Sequence, residues 1–140
     1  MNTEKIKIDA LINAEKDRVW EYYTQPKHIT KWNFATDDWQ CPSASNDMRI
    51  DGKYKARMEA KDGSFGFDFE ATYREISPQD YFKYDIIDGR EVKVTFLSKA
   101  NQTEVQVEFD PESLNPVELQ RGGWQAILNN FKKYAEENQK

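Results

Sequence analysis

The stretch Arg57 to Tyr73, reading Arg-Met-Glu-Ala-Lys-Asp-Gly-Ser-Phe-Gly-Phe-Asp-Phe-Glu-Ala-Thr-Tyr, decides the fold. Asp62-Gly63 is a hairpin-turn signal between two alternating runs. Before it, Tyr54, Ala56, Met58 and Ala60 fall on one face and Lys53, Lys55, Arg57 and Glu59 on the other. After it, Phe65, Phe67, Phe69, Ala71 and Tyr73 share a face, with Gly66, Asp68, Glu70, Thr72 and Arg74 opposite. A strict period of two means a sheet with one wet face and one apolar face. The apolar face is rich in aromatic rings, which either fill a core or wall a cavity.

The same pattern extends in both directions. Upstream, Ile6, Ile8, Ala10 and Ile12 alternate with Lys5, Lys7, Asp9 and Leu11, giving a first strand. Asp17 is placed to cap a short helix carrying Val19, Trp20, Tyr22 and Tyr23. Pro26 ends it and opens a second short helix, Lys27 to Trp32. Residues 33–48, polar and containing Pro42, read as a long loop, and such loops are often functional. Strands resume near Arg49, with Gly52 marking a bulge or sharp bend.

Downstream, three more alternating runs follow: Phe82-Tyr84-Ile86, Val92-Val94-Phe96 and Val105-Val107-Phe109. They are separated by turns at Asp88-Gly89 and Ala100-Asn101-Gln102. Asn115, as cap, and Pro116, at the first helical position, then begin a long amphipathic helix. Its apolar stripe is Val117, Gln120, Trp124, Ile127, Leu128, Phe131, Tyr134 and Ala135. Gly122-Gly123 costs about 1 kcal/mol per glycine relative to alanine. Either close backbone packing on the sheet or room for a ligand beside Trp124 would account for the pair.

The expected fold class is therefore α+β. A curved antiparallel sheet of about six or seven strands wraps around one long C-terminal helix, with two short helices after the first strand. The chain of 140 residues reads as one domain over residues 1–140. A sheet curved around a single helix often leaves a gap at one end, a natural small-molecule site.

Composition excludes several classes. The 14% aromatic share argues against disorder. With net charge −5 and scattered Lys and Arg, the chain has no electrostatic reason to bind nucleic acid. Cys41 is the single cysteine, so no internal disulfide forms, which fits a cytoplasmic setting. No apolar run approaches the roughly 18 residues that span a bilayer, so no membrane association is expected. Residues 1–7 lack the apolar core of a signal peptide.

Trp32-Asn33-Phe34-Ala35-Thr36-Asp37-Asp38-Trp39 combines aromatic rings with two adjacent carboxylates. Paired acids can perform acid/base chemistry or hold a cation. Against that, adjacent residues point apart, so one acid can cap a turn while the other is solvated. Trp32, Phe34 and Trp39 are the stronger candidates, as wall or gate of a pocket. Glu59 and Arg57 fall on the wet face as a cross-strand pair, unless a bulge turns Glu59 inward. The expected lining is Trp32, Phe34, Trp39, Tyr54, Met58, Phe65, Phe67, Phe69, Tyr84 and Trp124, and the candidate carboxylates are Asp37, Asp38 and Glu59. His28, the only histidine, reads as a surface helix residue with no orienting partner. No glycine-rich phosphate loop, nucleophile elbow or Cys/His cluster is present, so no cofactor and no metal is expected.

Several of these residues carry a family resemblance. They are Ile12-Asn13-Ala14 with Val19-Trp20, Pro26-Lys27-His28-Ile29 leading to Trp32, Gly52-Lys53-Tyr54, Met58-Glu59-Ala60 with Asp62-Gly63, and Gly123-Trp124 with Leu128 and Phe131. Over nearly the whole chain they resemble the START-like superfamily with the birch-pollen-allergen, or helix-grip, fold. Within it, the sequence looks like the family of the activator of heat-shock protein 90 ATPase, in its bacterial single-domain SRPBCC form. The resemblance implies the helix-grip fold. It does not select among the lipid carriers, cyclases, hydrolases and co-chaperone domains that share that fold. The chain resembles only the C-terminal domain of the eukaryotic co-chaperone, so chaperone activation is not expected. The leading expectation is a binder of a small apolar or aromatic molecule. The alternatives are a polyketide-cyclase-like enzyme using a cavity carboxylate and a protein-interaction module.

Overall fold

The computed structural model describes residues 4–138. The N-terminal reading over residues 1–3 lies outside the described residues. Elements run β1 (Ile6–Ile12), α1 (Lys16–Thr24), α2 (Pro26–Trp32), β2 (Trp39–Asn46), β3 (Lys53–Ala60), β4 (Gly66–Ser77), β5 (Tyr81–Ile86), β6 (Glu91–Lys99), β7 (Gln102–Phe109) and α3 (Val117–Glu137). The strands form one seven-stranded antiparallel sheet in the order β1-β7-β6-β5-β4-β3-β2. The α+β architecture with a long C-terminal helix is as the alternation implied.

Chain order explains most of that topology. β3 to β7 are successive hairpins, so each pairs with the next. The first strand then pairs with the last, from Ile6↔Phe109 to Ile12↔Thr103. α3 packs beside β1, α2 against β2, and α1 against β6 and β7. The core is the inner face of the sheet. Tyr73, Phe82, Phe96, Phe109 and Phe131 are its largest fully buried side chains. Tyr23 and Trp32, from the short helices, close on Phe131 with ring centroids 4.9 Å away in each case.

The turn at Asp62-Gly63 forms as expected. Gly63 has φ +78°, and the Asp62 carboxylate accepts the Ser64 amide at 2.8 Å. Gly52 supplies the expected tight bend, since a Cβ there would lie 2.1 Å from the Asp47 carbonyl oxygen.

Several expectations need correction. Residues 39–46 are a strand rather than loop. β2 is an edge strand, so it needs neither two-sided burial nor a full ladder. A register shift between Gln40 and Ser43 accommodates Pro42, which has no amide to donate. Asp17 does not cap α1. The helix begins one residue earlier, and the Asp17 carboxylate accepts the Arg18 amide at 2.8 Å. Asn115 does not cap α3, whose N-cap position is Pro116. The Glu112 carboxylate takes the Asn115 amide and side chain at 2.7 Å each.

Phe65 and Phe67 are not core. They share the inner-face alternation, but the last β4–β5 pair is Ala71↔Ile86, and β4 runs on past it with β3 alone as neighbour. Phe65 is therefore 62% exposed and Phe67 43% exposed. Phe131→Ala should cost about 3–5 kcal/mol in denaturant unfolding, and Phe65→Ala less than about 1 kcal/mol. Equal losses would contradict this placement of the two rings.

Gly122 and Gly123 do not pack closely either. Both lie on the exposed side of α3, and an added methyl at either would meet nothing within 4 Å. Nothing in the structure explains the pair. Gly122→Ala and Gly123→Ala should each stabilise the fold by roughly 0.5–1 kcal/mol, read from the unfolding midpoint. A loss on either substitution would show a constraint on backbone or space at that position.

Candidate functional site

One helix leaves part of the inner face uncovered, and a cavity of about 240 Å³ lies there. The sheet contributes Tyr54, Met58, Phe67, Phe69, Tyr73, Phe82 and Tyr84. The short helices contribute Tyr23 and Trp32, and α3 contributes Trp124, Ile127 and Leu128. Ile8 and Val107 complete the aliphatic wall, and Asn33, Asn46 and Arg90 are its polar members outside the tyrosines.

Local geometry fixes these groups. Trp124 stacks on Phe109 with centroids 3.9 Å apart and planes 13° apart, which pins one side of the site. Trp32 is buried and donates its indole N–H to the Tyr22 carbonyl at 2.9 Å. Tyr54, Phe69 and Tyr84 lean together with centroids 5.8–6.1 Å apart. Asn46 accepts the Tyr73 hydroxyl at 2.6 Å and donates to the Thr24 carbonyl at 2.7 Å. The Asn33 amide points at the Met58 sulfur, 3.3 Å away. Burial pushes the Tyr23, Tyr54, Tyr73 and Tyr84 hydroxyls well above the usual phenol range, so all four stay neutral.

Of the residues singled out in the sequence, Trp32, Tyr54, Met58, Phe67, Phe69, Tyr84 and Trp124 meet in this cavity. Phe34, Trp39 and Phe65 do not line it. Trp39 instead sits on the rim with Phe65 and Phe67, at centroid distances of 6.0 and 6.3 Å. Asp37 and Asp38 are exposed and away from the lining. Asp38 secures its turn, accepting the Thr36 hydroxyl through its side chain and the Lys61 amide, at 2.8 Å, through its carbonyl. Glu59 stays on the wet face, 3.0 Å from Arg57 on its own strand and 3.1 Å from Gln40 across it.

Tyr73 and Phe82 belonged to alternating runs already recognised, and Tyr23 to a helical stripe. Their signal was legible as core but not as cavity wall. Asn33 and Asn46 had no signal, because segments read as loop carry no facing rule. Arg90 lies on a hairpin turn, where its guanidinium is held by Asp88 at 2.9 Å.

His28 lies outside the cavity and is half-buried rather than freely exposed. Its Nδ1 is 2.6 Å from the Tyr134 hydroxyl, and its ring packs edge-on against Tyr22 with centroids 4.8 Å apart. Helix α3 supplied the partner, which local spacing could not show. Burial lowers the His28 pKa, opposed by Glu21 at 3.7 Å. The folded pKa lies below the unfolded one, so between the two the unfolded chain binds more protons. Stability should therefore rise with pH through that window and fall on acidification. Proton-detected NMR should place the His28 midpoint below 6.5. A midpoint above it would mean that Glu21 outweighs burial.

The curved sheet, the gripping helix and a largely apolar cavity between them define a helix-grip protein of the START-like superfamily. The sequence profile of the Activator of Hsp90 ATPase homolog 1-like protein family matches residues 13–136, and the chain belongs to that family. It is similar to the solution structure of the AHSA1-like protein from Aeromonas hydrophila, with 40% identity, TM-score 0.90, and 95% of this chain and 92% of that chain covered. A protein from Cytophaga hutchinsonii is 43% identical, with TM-score 0.82 and coverage of 96% and 93%. A Chromobacterium violaceum protein at 20% identity shares the fold, with TM-score 0.83 over 95% and 98% of the two chains. No curated protein matches the chain. Membership of this family suggests a ligand-binding or interaction module. Among the described residues, no helix is long and apolar enough to cross a membrane.

Proposed function

We propose that the protein binds a small apolar, aromatic molecule in this cavity, in the cytoplasm, without transforming it. The observation that carries the reading is the lining itself. Its walls are aromatic and aliphatic, and no carboxylate, imidazole or thiol stands among the lining residues. Apolar walls with a few placed polar groups are what small-molecule sites require. Acid/base catalysis needs a group titrating near the working pH. Here the only titratable groups in the wall are phenols held neutral and the Arg90 guanidinium. The cyclase-like alternative has no cavity carboxylate to use, since Asp37, Asp38 and Glu59 lie elsewhere.

Size supports a compact ligand. An engineered apolar cavity of about 150 Å³ accepts benzene. The larger volume here has room for a molecule of about two rings. The exposed rim cluster of Trp39, Phe65 and Phe67 supports a second, compatible reading, in which those rings meet a partner or hand the ligand inward.

Titration with 2-dimethylaminonaphthalene, a two-ring fluorophore, tests the reading. Binding should be on the order of micromolar and should quench Trp124, isolated by replacing the other tryptophans with phenylalanine. Asp37→Asn, Asp38→Asn and Glu59→Gln should each leave affinity within about twofold. Ile127→Trp should weaken it at least about tenfold by filling the space, with the circular dichroism spectrum retained. No binding across a broad aromatic panel would remove the reading. Product formation abolished by one carboxylate variant would replace it with an enzyme.

A further inference from the structure

The cavity wall carries two polar atoms that the protein itself does not use. Four phenol hydroxyls belong to it. Tyr73 donates to Asn46 at 2.6 Å, and Tyr54 receives the Asn33 amide at 3.5 Å, the long end of a hydrogen bond. The hydroxyls of Tyr23 and Tyr84 have no hydrogen-bond partner among the described residues. Yet no fully enclosed side-chain polar atom there lacks one. Both hydroxyls therefore touch open space, and the space that Tyr23 and Tyr84 border is the cavity. Tyr84 is only 7% exposed, and Tyr23 is ringed by Trp32, Phe82, Phe96 and Phe131.

We propose that Tyr23 and Tyr84 form an oxygen-recognition subsite, and that the ligand is an apolar molecule bearing a neutral ketone or hydroxyl oxygen at its buried end. This rests on the cavity being a ligand site, and it specifies what that site selects. A carbonyl oxygen has two lone pairs and accepts two hydrogen bonds, which matches two phenol donors on the wall of one cavity. The Tyr23 and Tyr84 rings both lie against Phe82, at centroid distances of 6.1 and 5.8 Å, so the two residues border the same part of the cavity wall. The oxygen should be neutral. The one cation in the wall, Arg90, is already paired with Asp88 at 2.9 Å. A buried anion would have no free counter-charge, whereas neutral phenols suit a neutral acceptor. A hydrocarbon of equal shape would strip both hydroxyls of water and return nothing. That asymmetry makes hydrogen-bonding sites discriminate against analogues lacking the polar atom.

The test compares two probes of one shape, a propionyl-dimethylaminonaphthalene ketone and its propyl counterpart, in which a methylene replaces the carbonyl. The wild-type protein should bind the ketone about tenfold more tightly. The carbonyl infrared band of the bound ketone should lie at the lower frequency of a hydrogen-bonded carbonyl. Tyr23→Phe and Tyr84→Phe should each weaken ketone binding roughly three- to fivefold. The double variant, left with only the Tyr54 hydroxyl as a free phenol donor, should lose most of the preference for the ketone and shift the band toward that of a free carbonyl. Each substitution removes one oxygen that has no protein partner, so melting temperatures should not fall. A double variant that keeps the wild-type preference for the ketone overturns the subsite. So does equal binding of both probes by the wild type, which leaves the ligand cavity standing. Binding of neither probe removes the cavity reading together with the subsite.

Discussion

One α-helix, about 10–12 Å across, cannot cover a sheet whose seven strands lie about 4.8 Å apart. The rest of the structure follows from that mismatch. The sheet curls, β1 pairs with β7, and α3 runs along the resulting trough. What α3 leaves bare must be covered otherwise or stay open. At one end α1 and α2 supply the cover, bringing Tyr23 and Trp32 onto Phe131 in a dense aromatic cluster. Toward the N-terminal half of α3 no such cover exists. Trp124 stacks flat on Phe109, and the surface between it and Tyr54, Phe69 and Tyr84 is the cavity.

Chemistry is divided between the two faces of the sheet along the same line. The wet face carries the charge, in pairs such as Arg57 with Glu59 and Asp68, or Arg74 with Asp51 and Asp85. These pairs are exposed, so each contributes at most about 1 kcal/mol, and together they favour solubility more than stability. The inner face carries no carboxylate around the cavity. Its polar atoms are phenols, amides and the Arg90 guanidinium, groups that neither gain nor lose a proton near neutral pH.

How far this was legible in the sequence depends on what each signal measures. Alternation reports which face a side chain points to, and it placed Tyr54, Met58, Phe69 and Tyr84 correctly. It does not report where the covering element stops. Phe65 and Phe67 obey the inner-face rule yet lie past the end of β5, so Phe65 is exposed and Phe67, although 43% exposed, still borders the cavity. β2 escaped notice because an edge strand with Pro42 at a bulge needs no apolar period. The polar wall was invisible for a related reason. Asn33 and Asn46 sit in or beside that segment, and their partners Tyr54 and Tyr73 come from the following strands β3 and β4. His28 shows the same limit, since its partner Tyr134 is 106 residues away. The candidate acids, by contrast, were adjacent in sequence, and adjacency says nothing about convergence.

The open space is itself a physical statement. Cavities in packed cores cost about 24 cal/mol per Å³. At that rate the 240 Å³ here costs at most about 6 kcal/mol, comparable to the net stability of a whole small domain. Leaving phenol hydroxyls without protein partners inside it adds to the cost. Larger side chains on Ile127 or Leu128 would close the space, and a phenylalanine in place of Tyr84 would remove an unpaired donor. A chain selected for stability alone would take those steps. A molecule bound in the cavity returns the missing contacts, and the stability gained then grows with its free concentration over its dissociation constant. On the proposed reading, occupancy and stability would thus be linked, with a ligand of the right shape restoring contacts that the cavity walls lack.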